Sequence, residues 1–472
     1  MDIILTLQIL TILIGLYMAW NIGANDVSNA MGTSVGSKAL TIKKAVIIAA
    51  LLEFSGAFFL GSQVSNTIQQ GIVRPEVFSS DKIIFVLGML AALLSTGIWL
   101  NLASFLKLPV STTHAIVGAV LGFGLLIGGL HAVYWMQVLT IVLGWILSPF
   151  ISGCISYFIF YIIQQKIFYS YNPVEATKRL VPFFVFLAFV FFTVSLIFEG
   201  LKNLDMSISL VPALLISAGV GVLAFFVSIF LISKISFKEM KKKICLHPFQ
   251  LLSLEKATKH LERTKLSSHG EIEKDASSIL KQLRKLKDQV KDYTGFSKTT
   301  IEYKEVEKIF AYLQIISACL VAFAHGANDV ANAIGPVAAI MTVFSSNSLE
   351  ISSKIPYWIL ILGGGGIVLG LATWGWRVIE TIGKKITELT PSRGFAAEFG
   401  AALTILLASK LGLPISTTHA LIGSVLGVGL ARGIRALNLK ILKDIIFTWI
   451  ITIPVCAILS ICLFYILKAI FY

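Results

Sequence analysis

The chain has 472 residues, of which 56% are hydrophobic and only 14% are charged. Soluble proteins carry about 25% charged residues, so this composition excludes a water-soluble enzyme and a disordered chain, and it predicts an all-α polytopic membrane protein. The net charge of +14 would suit a nucleic-acid binder. In a membrane protein, however, positive charge orients the loops, and we expect the bilayer and no nucleic acid as a partner.

Apolar segments of about 20 residues, the length that crosses a bilayer core, recur along the chain. We predict about twelve transmembrane segments, with broken helices and hairpins among them. They lie near residues 3–20, 45–66, 83–106, 109–128, 133–165, 181–199, 209–233, 309–343, 355–377, 394–409, 414–431 and 441–470. The segments that begin at 109 and 414 are rich in Gly and Ser, so re-entrant hairpins are an alternative for them.

Residues 234–308 differ from the rest because they contain 18 Lys/Arg and 11 Asp/Glu. The positive-inside rule places this insert in the cytoplasm and both termini outside. Apolar residues at helical spacing predict an amphipathic helix in this insert. The helix either packs against its own neighbours or against a second subunit, or it serves as a regulatory docking site. The apolar residues are Ile279, Leu280, Leu283, Leu286 and Val290.

An internal repeat is the most informative feature of the chain. Gly-Ala-Asn-Asp-Val-Ser-Asn-Ala at 23–30 recurs with one change at 326–333, and Leu-Pro-Val-Ser-Thr-Thr-His-Ala at 108–115 recurs with one change at 413–420. We therefore divide the chain into four parts. They are a first membrane repeat (1–165, copy 1), connecting helices (166–233), the basic insert (234–308) and a second membrane repeat (309–472, copy 2).

The two copies are predicted to have opposite orientations in the membrane, because an odd number of segments separates their starting points. Inverted repeats are typical of secondary transporters, which bind substrate and ions where the repeats meet. A parallel duplication is the alternative if one segment of copy 1 fails to cross. That arrangement would put the N-terminus inside.

One acidic residue per copy, Asp26 and Asp329, lies in an otherwise nearly uncharged apolar stretch. A carboxylate there is costly unless it faces a cavity or a cation. The preceding Gly and Asn weaken a helix, so we expect an unwound turn and an oxygen-rich cation site. The alternative is a helix-packing Gly beside a hydrogen-bonded Asp. The side-chain oxygens would come from Asn25, Asp26, Asn29, Asn328, Asp329 and Asn332.

The Ser-Thr-Thr-His segments are predicted to start new helices, because each follows a Leu-Pro pair. Free N–H groups and hydroxyls at a helix start form an anion site. Back-bonding of the hydroxyls within an ordinary helix is the alternative. His114 and His419 are either core imidazoles or ligands. The hydroxyls belong to Ser111, Thr112, Thr113, Ser416, Thr417 and Thr418.

The repeated motifs contain no Lys or Arg. An oxyanion bound next to Asp26 and Asp329 would be repelled by about 4 kcal/mol per like-charge pair at 4 Å and an effective dielectric of 20. Cations that enter with the anion remove this repulsion, which favours coupled symport. Phosphate suits the site better than sulfate because it retains a proton at neutral pH.

Two further acids, Glu53 and Glu398, lie in apolar surroundings at positions that are not equivalent in the repeats. Each copy thus contributes its own acid. A role in binding the coupling ion or a proton is one interpretation, and an interhelical hydrogen bond or subunit contact is the other.

Taken together, the paired motifs and the basic insert resemble the inorganic phosphate transporter (PiT) family. The resemblance implies sodium-dependent phosphate symport across the cell membrane, typically by a homodimer, although some members use protons. It implies a phosphate site of Asn25, Ser111, Thr112, Thr113, Asn328, Ser416, Thr417 and Thr418. It implies a sodium site of Asn25, Asp26, Asn328, Asp329, Glu53 and Glu398.

We therefore expect a sodium-coupled symporter that carries phosphate into the cell, and a proton-coupled phosphate or sulfate permease is the alternative. Sodium would be co-transported, and no other cofactor is expected. An intramembrane enzyme is disfavoured, because the chain has no HExxH motif and catalytic residues seldom occur in two inverted copies.

Overall fold

A computed structural model describes residues 3–79, 81–106, 110–200, 208–234, 248–293, 297–346, 355–376, 390–433 and 439–472. These ranges are almost entirely helical, and the extended contact within them is an isolated bridge between Val73 and Val133. In the same ranges, nine helices are long and apolar enough to cross a membrane. The all-α membrane class is confirmed, and the count of twelve segments in inverted repeats stays a prediction.

Copy 1 forms five helices whose ends follow local signals. Thr41 caps the second helix by accepting a hydrogen bond from the backbone N–H of Lys44, and Gly129, with φ 75°, ends the fourth in a conformation that favours glycine. The helices are α1 (Ile3–Gly36), α2 (Ile42–Gln70), α3 (Lys82–Leu106), α4 (Thr112–Gly128) and α5 (Trp135–Ile163).

Helices α3 and α4 form an antiparallel hairpin. The N–H of Arg74 donates to the carbonyl of Ala132 (2.8 Å), and the N–H of Tyr134 donates to the carbonyl of Ile72 (3.1 Å). The end of α4 therefore lies beside the loop that leads into α3. With 17 residues, α4 is shorter than the ~20 residues that a helix needs to span a bilayer core. Residues 107–109, with the Leu108–Pro109 pair, lie outside the described residues.

Copy 2 repeats this order of helices after a connecting region and the basic insert. The connecting helices are α6 (Pro173–Ser195) and α7 (Leu210–Ser233), and the insert contains α8 (Pro248–Ser267) and α9 (Glu271–Tyr293). Copy 2 consists of α10 (Ser297–Asp329), α11 (Ala331–Ser346), α12 (Tyr357–Gly370), α13 (Pro391–Lys410), α14 (Thr417–Arg432) and α15 (Leu439–Phe471).

The predicted amphipathic helix of the insert is confirmed as α9. Its Leu280 is buried, whereas Ile279 and Leu286 are exposed on the same helix. Arg284 and Glu262 form an ion pair at 3.0 Å that joins α9 to α8. The insert is thus a helical hairpin whose apolar stripe is only partly covered. Residues 235–247 and the side chain of Val290 lie outside the described part of the chain.

The predicted unwound turn before each aspartate is wrong in both copies. Helix α1 continues unbroken through Asp26, and α10 runs through Asp329, so that the second motif is interrupted only after the aspartate, at Val330. The glycines of the motif serve helix packing instead. A Cβ at Gly23 would overlap the carbonyl oxygen of Ile367 in α12, and one at Gly326 would overlap that of Glu53 in α2. Each motif is therefore packed against a helix of the other copy.

The Ser-Thr-Thr-His helices, α4 and α14, also pack against helices of the opposite copy. Helix α14 packs against α5, where Gly423 faces the backbone of Pro149, and α4 packs against α15, where Gly118 faces the backbone of Ile453. Each Ser-Thr-Thr-His helix is thus supported by the last helix of the opposite copy. This packing brings the N-termini of α4 and α14 together in the interior.

Candidate functional site

The site is built on the N-termini of α4 and α14, which begin at the first Thr of each Ser-Thr-Thr-His segment as predicted. Ser111 accepts a hydrogen bond from the backbone N–H of His114, and Ser416 accepts one from that of His419, both at 3.2 Å. Both serines are therefore N-caps. The threonine hydroxyls that follow lie on the first turn of each helix and are buried.

The last asparagine of each motif joins the two copies. Asn29 Nδ2 donates to the hydroxyl of Thr418 (2.8 Å), and Asn332 Nδ2 donates to those of Thr112 (3.2 Å) and Thr113 (3.3 Å). Each asparagine thus binds the threonines of the opposite copy. These crossed bonds place both helix N-termini at one buried position.

The two aspartates lie at the same position and are almost completely buried, with 1% and 0% exposure. Asp26 Oδ1 accepts hydrogen bonds from Asn25 and Asn29, both at 3.1 Å. Asp329 Oδ2 accepts one from the Thr417 hydroxyl at 2.7 Å. Each aspartate therefore lies within its copy's motif and beside a helix start.

Several buried oxygens at this position lack a hydrogen-bond partner among the described residues. They are Asp26 Oδ2, Asp329 Oδ1, Asn328 Oδ1, Asn332 Oδ1 and both carboxylate oxygens of Glu53. Ligand atoms of Asp26, His325 and Asp329 lie within 4.8 Å of one another. Carboxylate and amide oxygens are the donors that hard cations prefer, so the residues present fit a small cation.

His325 is a site residue that the sequence analysis missed. Its Nε2 lies 3.0 Å from Asp329 Oδ2 and its Nδ1 lies 3.4 Å from Glu53 Oε1, with all three side chains buried. Glu53 therefore reaches the aspartates through His325. The repeat comparison concealed this residue because Ile22 occupies the equivalent position in copy 1. A lone imidazole directly before the second motif was the available signal.

Ser104 and Ser409 were also missed. Ser104 donates to Asn25 Oδ1 (3.1 Å), and Asn328 Nδ2 donates to Ser409 (3.1 Å) and to the carbonyl of Leu413 (3.2 Å). Because a carbonyl only accepts, the amide nitrogen of Asn328 must face Leu413, which leaves Oδ1 without a donor. The recurrence of Leu-Ala-Ser at 102–104 and 407–409 was the signal for both serines.

Glu398 lies apart from this group. Its carboxylate accepts hydrogen bonds from Thr33 (2.5 Å), Ser34 (2.6 Å), Gln314 (3.1 Å) and Ser317 (2.5 Å). Thr33 follows Asp26 by seven residues on α1, a rise of about 10 Å. The structure therefore joins Glu398 to α1 and α10 and does not bring it to the two aspartates.

The chain is similar to known proteins along nearly its whole length. A family model described as the phosphate transporter family matches residues 22–460. A Chlamydia pneumoniae relative whose name contains the words phosphate permease is 46% identical over 472 residues, 99% of this chain and all of that protein.

Two further comparisons extend this likeness to a plant protein and to a solved structure. The inorganic phosphate transporter 2-1 of Arabidopsis thaliana chloroplasts is 41% identical over 453 residues, covering 96% of this chain and 70% of that protein. A solved structure titled the sodium-dependent phosphate transporter has a TM-score of 0.81 and 38% identity, covering 98% of this chain and all of the other.

Proposed function

This chain belongs to the phosphate transporter family, and from that premise we propose that it is a sodium-coupled symporter that carries inorganic phosphate into the cell. The observation that carries the proposal is the juxtaposition of two helix N-termini with two buried aspartates. The name of the similar solved structure, a sodium-dependent phosphate transporter, supports sodium as the coupling ion.

Phosphate would bind between the N-termini of α4 and α14. Free N–H groups and the helix dipole favour an anion there. The hydroxyls of the N-cap serines Ser111 and Ser416 add one donor from each copy, whereas those of Thr113 and Thr417 already donate to Ile415 and Asp329. The Asn–Thr bonds across the copies hold the two helix starts together. The proposed ligands are Asn25, Ser111, Thr112, Thr113, Asn328, Ser416, Thr417 and Thr418.

Sodium would neutralise the aspartates that border this anion. Asp26 and Asp329 each present one oxygen without a hydrogen-bond partner in the described structure, and Asn328 presents its amide oxygen beside them. Two carboxylates and a phosphate would repel one another by several kcal/mol. Sodium therefore binds first, phosphate follows, and the neutralised site changes access by movement of one helix bundle against the rest.

The remaining proposed ion ligands are Asn25, Glu53 and Glu398. Glu53 Oε2 is available for an ion, since no hydrogen bond joins it to another described residue, whereas Oε1 lies 3.4 Å from His325 Nδ1. Asn25 Oδ1 already accepts from Ser104, and both oxygens of Glu398 already accept hydrogen bonds. Glu53 is consequently the better supported of the three.

Proton coupling is the second candidate, and His325 is the observation that favours it. The imidazole lies between the carboxylates of Glu53 and Asp329, so three groups that exchange protons are in contact. Uptake of labelled phosphate into proteoliposomes separates the candidates. A sodium gradient with the pH gradient collapsed should drive uptake, and uptake driven only by the pH gradient would favour the proton.

The setting we propose is a homodimer in the cell membrane, with both termini outside and residues 234–308 in the cytoplasm. The basic insert supports this orientation through the positive-inside rule. Accessibility of tags at each terminus in intact cells tests it. A tag that becomes accessible only after permeabilisation would contradict it.

A further inference from the structure

Two histidines that follow the anion-binding hydroxyls, His114 and His419, bind the backbone of the opposite copy. His114 Nδ1 lies 3.3 Å from the carbonyl oxygen of Trp449 in α15, and His419 Nδ1 lies 3.2 Å from that of Trp145 in α5. Because a carbonyl only accepts, each Nδ1 must carry the hydrogen and donate it. The two bonds are related by the internal repeat.

The two imidazoles and two indoles form one continuous cluster. The ring centroids of His114 and His419 are 4.5 Å apart, that of His114 lies 3.9 Å from Trp145, and that of His419 lies 3.4 Å from Trp449. Both histidines are at most 5% exposed. The packing fixes each ring plane, so the Nδ1–H bond of each histidine has a defined direction.

Each histidine is also the third residue after the N-cap serine of its helix. A change in its ring position therefore shifts the first turn of α4 or α14, where the threonine hydroxyls lie. The bond from His114 runs to copy 2 and the bond from His419 runs to copy 1. Together they fix the two helix starts relative to each other.

The two bonds differ in strength because only one of the carbonyls is free. In a helix, the carbonyl of Trp145 would accept from the N–H of residue 149, but that residue is Pro149, which has none. His419 supplies the missing donor. The equivalent of Pro149 in copy 2 is Ile453, whose N–H is present, so the Trp449 carbonyl is shared between His114 and its own helix.

We propose that His114 and His419 are positioning residues that hold the two anion-binding helix starts in register, with His419 making the stronger bond. The inference rests on the proposed phosphate site. Neither histidine is assigned contact with phosphate or with an ion. Their effect on transport passes through the backbone positions of α4 and α14.

The test replaces His419 with Asn or Gln, whose amide groups imitate different ring nitrogens of histidine. Asn places its NH2 near the position of Nδ1, whereas Gln places it near that of Nε2. We expect His419→Leu and His419→Gln to raise the phosphate KM of sodium-driven uptake about three- to tenfold, the range that one neutral hydrogen bond gives. His419→Asn should restore a nearly normal KM, and Vmax should change less than KM in all three.

A packing role alone would rank the variants by side-chain volume, with Gln at least as good as Asn. Gln rescuing better than Asn, or a KM that is equal in all variants, would overturn the proposal. The comparison of Asn with Gln decides the outcome even if the Leu variant does not fold. Wild-type proteoliposomes that take up no phosphate would instead contradict the proposed function.

Pro149 allows a second, independent test. His114→Leu should raise KM less than His419→Leu does. Pro149→Ile introduces the residue of copy 2 and returns a helical donor to the Trp145 carbonyl, so it should raise KM up to about threefold in the wild-type background. In the His419→Leu background it should have no further effect, and additive effects of the two changes would overturn the assigned bond.

Discussion

The substitution Asp329→Asn removes one of the two buried carboxylates and keeps nearly the same shape. Asp329 Oδ2 accepts a hydrogen bond from Thr417, the first residue of α14, at 2.7 Å. An oxyanion that binds this helix start therefore lies within two consecutive hydrogen bonds of the carboxylate, at most about 5.5 Å away. Without a cation, the two negative charges repel each other.

The size of this repulsion follows from the distance. Two unit charges 5.5 Å apart at an effective dielectric of 20 repel by about 3 kcal/mol, which corresponds to roughly a hundredfold in affinity. Asp26 adds to it, since ligand atoms of Asp26 and Asp329 lie within 4.8 Å. We therefore predict that Asp329→Asn binds phosphate in sodium-free buffer roughly a hundredfold more tightly than the wild type.

The assay is equilibrium binding of labelled phosphate to purified protein, in choline and in sodium buffers. The variant should lose most of its sodium stimulation, because only Asp26 of the two aspartates that sodium neutralises remains, and it should fail in sodium-driven uptake. Asp81→Asn is the matched control, since Asp81 caps the start of α3 through the N–H of Ile83 (3.1 Å) and Asn caps a helix equally well. Wild-type sodium stimulation in Asp329→Asn would refute the reasoning.

Three further predictions concern residues around this pair. His325→Ile, which introduces the residue of copy 1, should lower the melting temperature in sodium-free detergent by several degrees, because the buried carboxylates of Glu53 and Asp329 lose the polar partner that lies between them. Sodium should recover part of the loss, and a melting curve equal to the wild type in both buffers would contradict this. Gly326→Ala should reduce the yield of folded protein on size-exclusion chromatography, because its Cβ would overlap a backbone carbonyl. Gly365→Ala, whose Cβ would enter open space, should behave as the wild type. Equal yields of the two variants would argue against the close packing. Asn332→Ala should raise the phosphate KM about fivefold through loss of its bonds to the α4 threonines, while Asn101→Ala, at an exposed position, should leave KM unchanged in the same uptake assay.

The sequence predicted the fold class and much of the site because repetition removed the ambiguity of single motifs. One Asp in an apolar segment has several explanations, but two copies beside paired hydroxyls have few. Helix starts at Thr112 and Thr417 were also predictable, since a preceding Leu-Pro pair and a capping Ser act locally.

Features that depend on packing between the copies were not predictable. Gly23 was interpreted as a helix breaker, but its role is set by a carbonyl 344 residues away in the chain, that of Ile367. His325 has no repeat partner, so the comparison that revealed Asp329 concealed it. The hydrogen bonds of Glu398 come from two other helices, α1 and α10, and its separation from the aspartates could not be read from its apolar neighbours.

The central claim is that phosphate occupies this site only together with cations that neutralise Asp26 and Asp329. Isothermal titration calorimetry of the wild-type protein with phosphate, in sodium buffer and in choline buffer at the same pH and ionic strength, tests it most directly. We predict that sodium tightens phosphate binding roughly a hundredfold. Equal affinity in the two buffers would contradict the account.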